Sequence, residues 1–172
     1  MPKVALLLGS NLNDRYTTME QAAWMIESWV GKTESASSYY ESEPWNFNSD
    51  NLFLNRALVV DTQLAPLELL DELQTVEKEL GRVEKGHFKV EKTGNCAESS
   101  RGYKDRTIDI DIIFYDDMVF SSERLTIPHP QVQHRLFALN PLAEIIPSYV
   151  HPMLGVTVRE LLEVLIPATK PL

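Results

Sequence analysis

A chain of 172 residues, 44 % apolar and 24 % charged, has the make-up of an ordinary soluble globule. It is long enough for one domain with a real core and too short for two comfortable ones. Its formal net charge of −9 excludes the broad basic surface that a nucleic-acid partner needs, yet a few local arginines suffice for a small phosphorylated ligand.

Residues 3–8 are an apolar run that predicts a buried strand. Neither it nor any other run is long enough to cross a bilayer, and the N-terminal "MPKVALLLGSN" is too short in apolar residues for a secretory signal. A cytoplasmic protein with no membrane partner is expected. "GSNLND" then supplies turn formers and an N-cap for a helix over about 15–30. On it Met19, Ala22, Ala23, Ile26 and Trp29 recur at helical spacing, and its Trp and Met residues read as core.

Gly31 ends that helix, 33–43 predicts a second strand, and Pro44 with "NFNSDN" breaks it into a loop. "LFLNRALVVDT" predicts a third strand with Phe53, Asn55, Ala57 and Val59 on one face. Pro66 opens and Gly81 closes a helix with the stripe Leu69, Leu73, Val76 and Leu80. Residues 83–105 have almost no apolar periodicity and predict a long functional loop, read as a mobile lid. Cys96, the single cysteine, lies in it with no second thiol for a disulfide or a shared metal.

"RTIDIDIIFY" predicts the next strand and 118–127 another short one. "QVQHRLFALNPLAEII" reads as a helix or helical turn, and "TVRELLEVL" as a last helix. Strands and helices alternate unevenly, with hairpin-length gaps in places. That favours a single α+β domain over residues 1–172, a largely antiparallel sheet with helices packed on it.

The aspartate strand raises the chemical question. Asp is a poor strand former, and two like charges at i and i+2 share one pleated face and repel. Asp109 and Asp111 face one way while Ile108, Ile110 and Ile112 face the other. Magnesium, a hard cation held by one or two carboxylates plus substrate phosphates, would compensate. The spacing suits one ion bridged by both groups or two ions clamping a polyphosphate; the bland reading is a solvent-facing polar side. Arg82, Lys85, Arg101, Lys104, Arg106, His129 and Arg135 flank the pair, and guanidinium groups there suit a triphosphate. Phe53 and Asn55 set an aromatic plate beside an amide, a pairing that suits a flat heterocycle. The full phosphate-loop pattern, a zinc-site spacing and an activated nucleophile are all missing from the sequence.

The ordered set "LGSN", "YYESEPW", "FLN", "ELGR", "RTIDIDIIFY" and "RLTIPHP…HRLF" resembles the 6-hydroxymethyl-7,8-dihydropterin pyrophosphokinases of folate biosynthesis, over about residues 3–146. The resemblance implies a ferredoxin-like fold and transfer of the pyrophosphoryl group of ATP to the hydroxymethyl group of 6-hydroxymethyl-7,8-dihydropterin, leaving AMP. By the same likeness, Asp109 and Asp111 would hold two magnesium ions. Phe53 and Phe137 would stack the pterin, and Asn55 would read its edge with help from Ser42, Pro44 and Trp45. Gln74, Glu77, Arg124 and Thr126 match nucleotide contacts. Arg82, Arg106, His129 and Arg135 match the groups that meet the phosphates, with Arg82 and Arg106 catalytic alongside the aspartates. A monomer is expected.

The chain departs from the family pattern at Lys104-Asp105, where a Gly-Pro is usual, at Glu84, at Pro130 and in the longer 83–105 loop. Two other readings are an aspartate-nucleophile phosphatase and a non-catalytic ligand-binding module on a ferredoxin-like fold. The lateness of the D-x-D pair weighs against the first, and a metal-like acidic pair facing basic residues weighs against the second.

Overall fold

In the computed structural model, which describes residues 1–81 and 105–169, the last three as backbone, the N-terminal apolar run becomes the middle of a sheet. Strand β1 (Lys3–Ser10) is followed by helix α1 (Arg15–Trp29), β2 (Gly31–Ala36), β3 (Tyr40–Ser42) and β4 (Phe53–Thr62). Helix α2 (Pro66–Glu79) leads to β5 (Asp109–Tyr115), a hairpin of β6 (Phe120–Ser121) and β7 (Thr126–Ile127), α3 (Leu136–Ile145) and α4 (Val158–Thr169). A 3-10 turn, Val132–His134, precedes α3.

The main sheet runs β2-β4-β1-β5, with β3 continuing along the same edge of β4, and every pairing is antiparallel. β1-α1-β2 and β4-α2-β5 are therefore two interleaved split β-α-β units, the ferredoxin-like arrangement. Sequence signals account for the helix starts. The Asp14 carboxylate accepts the Thr17 N–H at 3.1 Å, and the Ala65 N–H donates to the Glu68 carboxylate ahead of Pro66.

Both faces of the sheet are covered, which is why β1 reads as continuous "VALLL" rather than alternating. Val4, Leu6 and Leu8 pack with α1 and α2 residues such as Met19, Ile26, Leu69 and Leu73. Ala5, Leu7 and Ala57 pack with Ala138, Leu139, Leu142 and Val158 from α3 and α4.

Three sequence expectations are corrected. The strand expected over 33–43 is two strands, because Ser37 turns inward. Its hydroxyl accepts the Ala57 N–H at 2.9 Å and its carbonyl accepts from Arg56 at 3.0 Å, displacing the ladder there. The strand expected over 118–127 is the β6–β7 hairpin. Trp24 and Trp29, read as core, are 66 % and 41 % exposed, since Met19, Ala22 and Ile26 already fill the face of α1 that meets the sheet.

His151 is buried against Phe114, with ring centroids 5.6 Å apart. Its Nδ1 accepts the N–H groups of Met153 and Leu154, both at 3.2 Å. Burial holds its imidazole below the ordinary value of 6.5. A histidine whose proton affinity falls on folding contributes stability that is complete above the unfolded value and lost as pH drops beneath it. The urea midpoint is expected to fall between pH 7 and pH 5, and His151→Gln to flatten part of that fall. A variant that tracks the native protein across the range would contradict it.

Candidate active site

Strand register builds the site. Across β4, β1 and β5, Asn55, Gly9 and Asp109 are aligned in one row, and Ala57, Leu7 and Asp111 in the next. Paired residues share a face, so all six look toward the α3–α4 side. There the helices cover Leu7 and Ala57 but leave the Gly9 end open. The result is a cavity of about 490 Å³, part of it open to solvent, between the sheet and the loop after β3. Gly9 keeps its floor bare: a Cβ there would meet Asn55 Oδ1 at 3.5 Å and Phe53 Cδ1 at 3.6 Å.

One end of the cavity is aromatic. Phe53 and Phe137 line it; Phe47 packs edge-on against Phe53 at 6.0 Å, and Trp45 against Phe137 at 5.9 Å. Asn55 is only 2 % exposed. Its Nδ2 donates to the Ser42 hydroxyl at 2.7 Å and to the Tyr40 carbonyl at 3.2 Å. With the amino side committed to protein, Oδ1 is the acceptor turned to the cavity beside Gly9. Apolar walls with one fixed acceptor are what a flat heterocycle carrying N–H groups requires.

The other end is charged. Arg106 pairs with Asp109 at 2.5 Å. Arg135, with 8 % of its side chain exposed, lies 4.0 Å from Asp111 and 5.7 Å from the centroid of the Phe137 ring. The N–H of Ile110, between the two aspartates, donates to the buried carboxylate of Glu77 on α2 at 2.8 Å. That bond caps a backbone donor on the free edge of β5.

Thus the cavity gathers Ser42, Trp45, Phe53, Asn55, Arg106, Asp109, Asp111, Arg135 and Phe137 from the residues singled out in the sequence. Pro44 stands in the same loop but is not part of its lining. Gln74, Glu77, Arg124, Thr126 and His129 do not line it; Gln74 and Glu77 are on α2, and of these Glu77 reaches β5 at Ile110. The exposed Arg124 ion-pairs with Asp71 of α2, Thr126 sits on β7, and the His129 N–H donates to the Ile113 carbonyl. Arg82, Lys85, Arg101 and Lys104, with all of the expected 83–105 lid except Asp105, fall outside the described residues. Sequence reasoning missed Leu7, Gly9 and Phe47 as lining residues, while Glu43 lies within the Ser42–Trp45 stretch that the resemblance singled out. Gly9 and Leu7 enter through the β1–β4–β5 register, which no local pattern shows, and Phe47 through a loop without periodicity.

A family model described as 7,8-dihydro-6-hydroxymethylpterin-pyrophosphokinase matches residues 5–147. The chain belongs to that family. It is 37 % identical over 153 residues to the 2-amino-4-hydroxy-6-hydroxymethyldihydropteridine pyrophosphokinase of Porphyromonas gingivalis, covering 88 % of this chain and 95 % of that one. To the enzyme of the same name from Aquifex aeolicus it is 38 % identical over 160 residues, covering 93 % and 90 %. The crystal structure of Plasmodium falciparum HPPK-DHPS aligns with a TM-score of 0.75 at 18 % identity, a likeness of fold. It covers 98 % of this chain, which spans under half of that longer one, 45 %.

The aromatic end offers an optical readout, because Trp45 touches Phe137 while Trp24 and Trp29 face solvent. A pterin entering the slot is expected to change Trp45 emission, and Trp45→Phe to abolish that change. Gly9→Val should narrow the slot, its Cβ meeting only the side chains of Asn55 and Phe53. It is therefore expected to keep its melting temperature within a few degrees and to lose the response. A full response in Gly9→Val would mean that the ring binds elsewhere.

Proposed function

We propose that this chain transfers the pyrophosphoryl group of ATP to the hydroxymethyl group of 6-hydroxymethyl-7,8-dihydropterin, releasing AMP for folate biosynthesis, and that the cavity is where transfer occurs. The observation that carries this reading is the union, in one cavity, of an aromatic slot with a buried amide acceptor and a carboxylate pair flanked by two guanidinium groups. Family membership supplies the reaction class.

Phe53 and Phe137 stack the pterin, and Asn55 Oδ1 accepts from the donors on its edge, helped by the Ser42–Trp45 segment. Asn55 and Asp109 sit two strands apart, about 10 Å. A two-ring heterocycle with a one-carbon arm can bridge that span, which brings its hydroxyl to the charged end.

Asp109 and Asp111 suit magnesium by their donor chemistry: hard oxygens, two of them, side by side. Among the described residues no group of three or more His, Cys, Asp or Glu side chains converges on a metal position. The pair would thus supply part of a coordination shell and leave the rest to phosphate and water, as magnesium prefers. Two ions are expected, and when bound they neutralise phosphate charge. Arg106 and Arg135 exchange their contacts with the aspartates for bidentate bonds to phosphate oxygens. Arg82 and His129 are proposed to join them, and Gln74, Glu77, Arg124 and Thr126 to hold the nucleoside along the β5 edge.

Catalysis in this arrangement is positioning and charge neutralisation. The pterin oxygen bonds to the β-phosphorus, the bond from that phosphorus to the α,β-bridging oxygen breaks, and AMP departs with its charge met by the arginines. The hydroxyl proton leaves to solvent. No step draws on a second copy, consistent with a monomer acting in the cytoplasm as one domain. Asp109 is engaged by Arg106, an arrangement for holding charge rather than for nucleophilic attack, so hydrolysis is not favoured.

Asp109→Ala and Asp111→Ala are each expected to lower AMP formation about a hundredfold or more while the protein still folds. AMP must appear only when pterin is present; orthophosphate release without pterin would indicate a hydrolase, and near-full activity in either variant would refute the metal role. Phe137→Ala should raise the KM for pterin about tenfold with a smaller effect on ATP. Equal effects on the two substrates would remove it from the slot.

A further inference from the structure

Arg106 reaches Asp109 from a backbone position outside any strand, so something must hold that backbone. Asn11, just past the end of β1 and 3 % exposed, does half of this. Its Oδ1 accepts the Arg106 N–H at 2.6 Å, and its own N–H donates to the Arg106 carbonyl at 3.1 Å. The other half is Asp105. Its Oδ1 accepts from Asn11 Nδ2 at 2.7 Å and its Oδ2 from Asn51 Nδ2 at 3.3 Å. Ser49, Asn11 and Asn51 together hold this carboxylate below the usual carboxylate range. Ser49 in turn accepts the Asn51 N–H at 3.1 Å.

We infer that Asp105 is a positioning residue: its carboxylate clasps Asn11 and the 49–51 segment at once, and so holds the main chain from which Arg106 is aimed at Asp109. The inference rests on the proposed activity for its catalytic consequence, and on geometry alone for the clasp. The 49–51 segment belongs to the same loop as Trp45 and Phe47, so one exposed side chain ties the aromatic wall to the guanidinium of the charged end. Acceptor geometry makes this specific. Two amide donors converge on a group that has only acceptors when ionised. Neighbouring Leu52 is held independently, its carbonyl accepting from Arg15 at 2.9 Å, so loss of Asp105 releases the clasp without freeing the whole loop.

The test is a double-mutant cycle with an exchange measurement beside it. Asp105→Ala is expected to lower kcat about tenfold in the otherwise native protein, since small misplacements of a charge-stabilising group are costly. On top of Arg106→Ala it should cost less than about threefold, because the residue it aims is gone. A role in general stability would cost the same in both backgrounds, and that result would overturn the inference. Hydrogen exchange of the Arg106 amide, followed by NMR, is expected to accelerate about tenfold in Asp105→Ala while the Ile110 amide is unchanged; no acceleration would also overturn it. Asp105→Asn, which keeps one acceptor oxygen for Asn11, serves if the alanine variant does not fold, with a smaller change in the same direction expected. Should the native protein form no AMP with pterin present, the proposed activity falls, and the exchange measurement still decides the clasp.

Discussion

The pairing of β5 against β1 is the constraint on which the site depends. It sets Asp109 opposite Gly9 and Asp111 opposite Leu7, on the one face of the sheet that the helices leave partly open. A slip by one residue would turn both carboxylates toward the core beneath α1 and α2 and bring Ile110 and Ile112 into the cavity. Burying two unpaired carboxylates is prohibitive, so the isoleucines enforce the register from one side and the aspartates from the other. The Glu77–Ile110 bond adds a fixed point from α2, and the Asn11–Arg106 pair adds one from the end of β1. What looks unfavourable in strand propensity, two aspartates in the middle of an apolar run, is what makes the register unambiguous.

The same pairing explains how an acidic protein with a net charge of −9 can offer a site for an anion. Charge is organised locally. Arg106 and Arg135 are each held next to a carboxylate, and both have little side-chain exposure, 17 % and 8 %. In such partly desolvated surroundings, interactions with phosphate oxygens are stronger than on the open surface. The aspartates hold the arginines aligned in the absence of any ligand, which for the proposed reaction would be a form of preorganisation.

Much of the architecture was legible because periodicity and turn chemistry agree. The Asp14 cap, the Pro66 start and the stripe of α2 all sit where the sequence places them. The aspartate pair, Phe53 and Asn55 were legible as oddities of strand composition, and the structure joins them in one cavity. Other features were hidden. The break between β2 and β3 depends on Ser37 bonding to Ala57, a neighbour in space that lies 20 residues away along the chain. Trp29 fits the helical spacing yet stays exposed, because burial on α1 is decided by what the sheet presents. Phe47 and Glu43 reach the cavity from a loop whose path no local rule sets. The approach of Glu77 and His129 to β5 is likewise tertiary, set by bonds to Ile110 and Ile113 that no local pattern shows.

The most direct test of the central claim is a crystal structure of the protein with a non-hydrolysable ATP analogue, a pterin and manganese in place of magnesium, read by anomalous scattering. Transfer at this cavity requires metal peaks within bonding distance of both the Asp109 and Asp111 carboxylates, with the β-phosphate between them and a ring held by Phe53 and Phe137. Metal and nucleotide bound away from those carboxylates, with the aspartates still paired only to Arg106 and Arg135, would contradict it.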